Sequence, residues 1–68
     1  MPNYYVNKNT DAQGDHEVHK SDCFWLPKVE NRIYLGDFHG CEGAIIAAKM
    51  HYTQVNGCKH CSILCHTS

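Results

Sequence analysis

The chain has 68 residues, 43% of them hydrophobic, and a formal net charge of −1, with six Lys and Arg against seven Asp and Glu. A chain of this length buries only about 60% of the surface it exposes when unfolded, so 1–68 reads as one small domain that needs a covalent or metal staple to offset conformational entropy. The scattered charges form no basic stripe, which argues against a nucleic-acid binder working by charge alone, and no apolar run is long enough to span a membrane.

Pro2, Asn3, Lys8 and Asn9 follow Met1 with no apolar leader segment, which favours a cytoplasmic protein. Reducing conditions there favour metal over disulfides as the use of the five cysteines and six histidines. Five thiols cannot all pair within one chain, and two disulfides with a free thiol is the competing arrangement.

Tyr4-Tyr5-Val6 is β-prone and is followed by the turn-rich stretch Asn7 to Asp15, which predicts a strand and a surface loop. His16 to His19 alternates, with His16 and Val18 on one face of an extended segment and Glu17 and His19 on the other. Phe24-Trp25-Leu26 is the bulkiest apolar cluster; Pro27 stops it, and it is expected to pack beneath the site that Cys23 begins. Arg32 to Leu35 alternates again, Ile33 and Leu35 sharing a face, and ends at Gly36.

From Gly40 to Gln54 the period becomes helical. Cys41, Ala44, Ile45, Ala48, Tyr52 and Val55 form one apolar stripe, with Glu42, Lys49 and Gln54 away from it. Asn56-Gly57 reads as a left-handed helix terminus that delivers Cys58 in a tight knuckle. The expected fold class is therefore α+β: a small antiparallel sheet of about three strands with one helix, stapled by a zinc site.

The staple is read from two close spacings at opposite ends of the chain. His19 and Cys23 form an H-x3-C, and Cys58 and Cys61 form a C-x2-C. Each half supplies two ligands from one turn, and the strand and helix between them can bring the halves together around a tetrahedral Zn2+. The knuckle follows a helix instead of starting one, which removes the dipole that acidifies a redox dithiol.

Two alternatives accompany this assignment. Cys58, Cys61, Cys65 and His66 offer four donors within the tail, although adjacent Cys65 and His66 cannot readily reach one ion. Cys41, on the apolar stripe, is expected to be buried, and Cys65 to pack behind the site or to pair with Cys41 under oxidising conditions. His16 is expected to point away from the ion. His16-Glu17-Val18-His19 is not the H-E-x-x-H of a zinc protease, and a closed four-ligand site leaves no place for an activated water, so no enzyme activity is expected.

The succession Tyr5-Val6-Asn7-Lys8-Asn9, Val18-His19-Lys20-Ser21-Asp22-Cys23, Asn31-Arg32-Ile33-Tyr34, Glu42-Gly43-Ala44-Ile45-Ile46-Ala47-Ala48 and Gly57-Cys58-Lys59-His60-Cys61 resembles the metal-binding domain of Ada-type DNA-repair proteins and related small stand-alone zinc-binding modules. The resemblance covers most of residues 4 to 61. It implies a small sheet with a helix and zinc held by His19, Cys23, Cys58 and Cys61. In that family the first half-site is C-x3-C and one of its thiolates accepts a methyl group; here His19 stands first, and imidazole cannot take that role.

The sequence thus leads to a structural-zinc module serving as a binding or interaction domain whose protein partner is not specified. One alternative is an Ada-like nucleic-acid accessory domain with weak binding and no methyl-acceptor activity. The other is a thiol-active protein using Cys65 or Cys41.

Overall fold

Tyr4 and Val6 turn one way along the first strand while Tyr5 turns the other, and this alternation sets the architecture of the computed structural model, which describes residues 1–67. The strands are β1 (Asn3–Asn7), β2 (His16–Lys20), β3 (Arg32–Asp37) and β4 (Val55–Gly57), with one helix, α1 (Cys41–Ala48). They form a four-stranded mixed sheet in the order β3-β1-β2-β4. β1 runs antiparallel to both β2 and β3, and β4 adds to β2 in parallel. Short 3-10 turns lie at Val29–Asn31 and Ile63–Cys65.

The α+β class holds, with a fourth, parallel strand in place of a purely antiparallel sheet of three. The helix covers one face. Tyr4, Val6 and Val18 from the sheet pack on Cys41, Ala44 and Ala48 from α1, with Ile33, Leu35, Phe38, Ile45, Tyr52 and Val55 around them. Val6 and Val18 are paired across β1 and β2 and fully buried. The expected helical stripe is therefore the core face, with Glu42, Lys49 and Gln54 exposed.

The helix is shorter than its sequence pattern. It ends at Ala48, where the Met50 and His51 amides donate to the Ala47 and Ala48 carbonyls in tightened turns. Tyr52 then stacks on His16, ring centroids 3.6 Å apart, and the chain enters β4.

Asn56-Gly57 is consequently strand and not a helix cap; positive φ occurs only at Gly14 and Gly36 among the described residues. A Cβ on Gly57 would lie 2.7 Å from the Ser62 carbonyl oxygen and 2.8 Å from Cys65 atoms, so glycine serves here for close approach. β3 continues through Gly36, whose φ of 127° accommodates a register shift against Tyr4 and Tyr5 that leaves Leu35 as the extra residue.

Cys41 and Cys65 are joined by a disulfide across 24 residues, fastening the start of α1 to the tail. Closing a loop of that length stabilises a fold by about 3 kcal/mol on the chain-entropy account. The preference for metal over disulfides is corrected in part, since this chain has a disulfide beside its remaining thiols, Cys23, Cys58 and Cys61.

Gly57→Ala should destabilise the protein by about 1–3 kcal/mol, because the added methyl meets backbone that cannot move aside. Urea denaturation of the disulfide-intact protein checks this; an unchanged midpoint would show that the tail is not seated on β4.

Candidate metal centre

The parallel register places the centre. Val18 of β2 lies opposite Gly57 of β4, and the next residues along the two strands are His19 and Cys58. The Cys58 amide continues the pairing by donating to the Val18 carbonyl at 3.0 Å. Strand alternation sends His19 to the sheet face opposite Val18, where it is 1% exposed.

Two turns supply the other donors. The Cys23 amide donates to the Lys20 carbonyl at 3.1 Å, curling the chain back after β2; the Ser62 amide donates to the Cys58 carbonyl at 2.8 Å, closing the knuckle.

One donor atom from each of His19, Cys23, Cys58 and Cys61 lies within 4.8 Å of all the others. Cys23 Sγ is 3.9 Å from Cys58 Sγ and 3.6 Å from His19 Nδ1, and Cys61 Sγ is 4.0 Å from His19 Nδ1. A tetrahedral zinc with ordinary bond lengths has sulfur–sulfur edges of about 3.8 Å and sulfur–nitrogen edges of about 3.5 Å. The four residues singled out by spacing are thus brought together at separations that suit such an ion.

Backbone amides turn toward the sulfurs as well. Lys20 N–H donates to Cys61 Sγ at 3.3 Å, Trp25 N–H to Cys23 Sγ at 3.4 Å and His60 N–H to Cys58 Sγ at 3.4 Å. These bonds stabilise thiolate over thiol and fix the sulfur lone pairs toward the common centre.

Burial shapes the protonation states. It pushes the His19 pKa down to about 4, so the imidazole is neutral at neutral pH with a lone pair available on Nδ1. It also pushes the Cys23 thiol up to about 12, helped by a hydrogen bond with Cys61. Cys23 by itself therefore resists charge, and a divalent cation would reverse that preference by taking the thiolate as a ligand.

His19 Nε2 lies 3.5 Å from Glu17 Oε1. With Nδ1 turned to the sulfurs, Nε2 is the nitrogen left to carry the proton of the neutral ring, and the nearby Glu17 carboxylate favours that tautomer and the basicity of a ligating imidazole. The spacing of the donors did not single out Glu17, although its place on the strand face of His19, two residues away, is a signal that could have.

The competing donors are occupied elsewhere. His16 Nδ1 donates to the Asn7 carbonyl at 2.9 Å, and His66 Nδ1 to the Gly57 carbonyl at 3.0 Å. Cys65 is bonded to Cys41, so the tail-only cluster is not formed and neither cysteine is a free nucleophile.

Of Phe24-Trp25-Leu26, the two aromatic residues do not pack beneath the site: Phe24 is 87% exposed and Trp25 57%, while Leu26 is half-buried. The turn that aims the Trp25 amide at Cys23 Sγ and the Leu26 amide at the Cys23 carbonyl carries the two aromatic side chains outward. There Phe24 and Trp25 meet edge to face at 5.1 Å, and Trp25 lies 5.8 Å from the His60 ring of the opposite loop.

Comparison with protein families, curated proteins and solved structures returns no match. The chemistry of the donor set therefore carries the functional argument alone.

Glu17→Gln should lower metal affinity about 10-fold or more without unfolding the metal-loaded protein. Competition with a chromophoric chelator measures this, and unchanged affinity would remove Glu17 from the centre. Because burial holds the His19 pKa down to about 4, the loss of affinity on acidification from neutral pH should follow thiol protonation, with His19 in the metal-free protein staying mostly neutral by NMR down to about pH 5.

Proposed function

We propose that this chain is a structural-zinc module, with the ion held by His19 Nδ1 and the thiolates of Cys23, Cys58 and Cys61, and that it serves as a binding or interaction domain with no catalytic activity of its own. The observation that carries this reading is the convergence of three sulfurs and one imidazole nitrogen from two separate turns, with His19 and Cys58 buried and Cys23 and Cys61 half-buried. Such a set is soft, closed and tetrahedral, which selects zinc over the oxygen-preferring cations. The order and spacing of the donors also resemble those of Ada-type metal-binding domains, with the imidazole of His19 excluding methyl acceptance there.

The interaction role rests on the aromatic residues beside the centre. Phe24 and Trp25 are large, apolar and exposed on the loop that Cys23 anchors, and Trp25 approaches His60 on the knuckle loop. Metal binding that fixes both loops would fix this surface too, and rigid aromatics are frequent anchors at protein interfaces.

Metal removal is expected to unfold the sheet around β2 and β4, since structural zinc supplies on the order of 10–16 kcal/mol in small peptides. His19→Ala, Cys23→Ser, Cys58→Ser and Cys61→Ser should each abolish tight binding, whereas His66→Ala should leave it intact. Cadmium-113 NMR should show three thiolates and one imidazole. Coupling to Cys65 in place of Cys23, or a cooperative thermal transition unchanged by chelation, would overturn the assignment.

Binding to nucleic acid should be weak and non-specific at physiological salt, with a shallow salt dependence, because the sparse cations can neutralise few phosphates. Fluorescence anisotropy with single- and double-stranded DNA tests this, and a sequence-selective complex of micromolar or tighter affinity at about 150 mM salt would point to the nucleic-acid alternative instead.

A further inference from the structure

A second group of donors lies away from this centre, at the start of α1. Sγ of Cys41, Sγ of Cys65 and a carboxylate oxygen of Glu42 are all within 4.8 Å of one another. The two sulfurs are covalently joined, so in the oxidised protein they offer a metal little.

We propose that reduction of the Cys41–Cys65 disulfide opens a second metal site, in which these two thiolates and Glu42 hold a thiophilic divalent cation such as zinc or cadmium. The chemistry balances with a dithiol as reductant. The dithiol transfers two electrons and two protons, becoming a disulfide itself, and leaves Cys41 and Cys65 as two thiols. Binding of the cation then releases both protons and forms two metal–sulfur bonds, with the Glu42 carboxylate as third ligand and a water in the fourth position.

Three structural features prepare the site. The Cα atoms of the two cysteines are 6.2 Å apart, so rotation about the side-chain bonds can open the sulfurs to the roughly 3.8 Å of a tetrahedral edge without moving the backbone. Cys41 is the first residue of α1, where unpaired helix amides favour a thiolate.

Glu42 supplies the third feature. Its side chain is folded back over the helix start, with Oε1 only 2.7 Å from where a Cβ on Gly40 would lie. This keeps the carboxylate beside the sulfurs.

An entry path is present as well. A cleft of about 200 Å³ has Cys41, Glu42, Lys20 and Cys61 among the residues that line it. It gives a small dithiol and then an ion access to the bond, and it makes Cys61 a shared wall between the two centres. The protein would thus hold one ion when oxidised and two when reduced, so that metal content follows the redox state of its surroundings.

The full chain, prepared anaerobically as oxidised protein and as reduced protein freed of reductant by desalting, is titrated with zinc and then with cadmium. Native mass spectrometry counts the ions, and alkylation followed by peptide mapping identifies the protected thiols. One ion in the oxidised protein and two in the reduced protein are expected, with Cys41 and Cys65 shielded from alkylation only when the second ion is bound. Glu42→Gln should lose the second ion at metal concentrations where the first stays bound, and Cys41→Ser/Cys65→Ser should hold one ion under both conditions.

Equal stoichiometry before and after reduction, with Cys41 and Cys65 freely alkylated in the metal-loaded reduced chain, would overturn the second site. Protection of that pair alone would instead support it while rejecting the centre at His19. Protection of Cys23, Cys58 and Cys61 alone would do the reverse.

Discussion

The parallel pairing of β2 with β4 is the constraint on which the rest of this molecule depends. It sets Val18 against Gly57, and one residue further along each strand it brings His19 and Cys58 side by side. A slip of one residue would turn His19 and Glu17 together to the helix-covered face and Val18 away from it. The register is held by features that have no direct part in ligation. Gly57 admits the backbone of Ser62 and Cys65 at contact distance; Asn56 accepts hydrogen bonds from Thr67 and donates to Asp15.

Electrostatics explains why the surroundings take the form they do. In the proposed metal-bound state, three thiolates, a neutral imidazole and a divalent cation would sum to a single negative charge in a partly buried space. The backbone N–H groups of Lys20, Trp25 and His60 meet that charge without adding a formal cation. Fixed peptide dipoles suit this better than lysine side chains, whose ordering costs rotamer entropy and whose own burial costs hydration.

The residues that sequence made legible are those whose chemistry is local. An H-x3-C and a C-x2-C are read from spacing alone, and strand alternation separates His19 from His16 correctly. The core stripe of α1 is legible for the same reason, because Cys41, Ala44 and Ala48 repeat at helical steps.

What escaped was decided by distant partners. Val55-Asn56-Gly57 carries no strand signal strong enough to outweigh a helix-terminus reading, and it becomes strand because β2 offers an edge and the tail needs a glycine. Phe24 and Trp25 read as core by composition, yet the turn that aims an amide at Cys23 Sγ leaves them outside. The pairing of Cys41 with Cys65 was one of several options open to five cysteines, and only the packing of the tail against the start of α1 selects it.

The interleaving of the two half-sites bears on how the chain can be made. His19 and Cys23 emerge from the ribosome long before Cys58 and Cys61, and until the later pair appears the early strands lack both the fourth strand and two of the four donors. The β2–β4 pairing and the full donor set therefore cannot form during most of translation, and both wait until the distal thiols have cleared the exit tunnel. For that interval the exposed edge of β2 and two unpaired candidate ligands are vulnerable to stray pairing and stray metals. Brevity serves as the protection: at about 5–20 residues per second, the interval lasts only seconds.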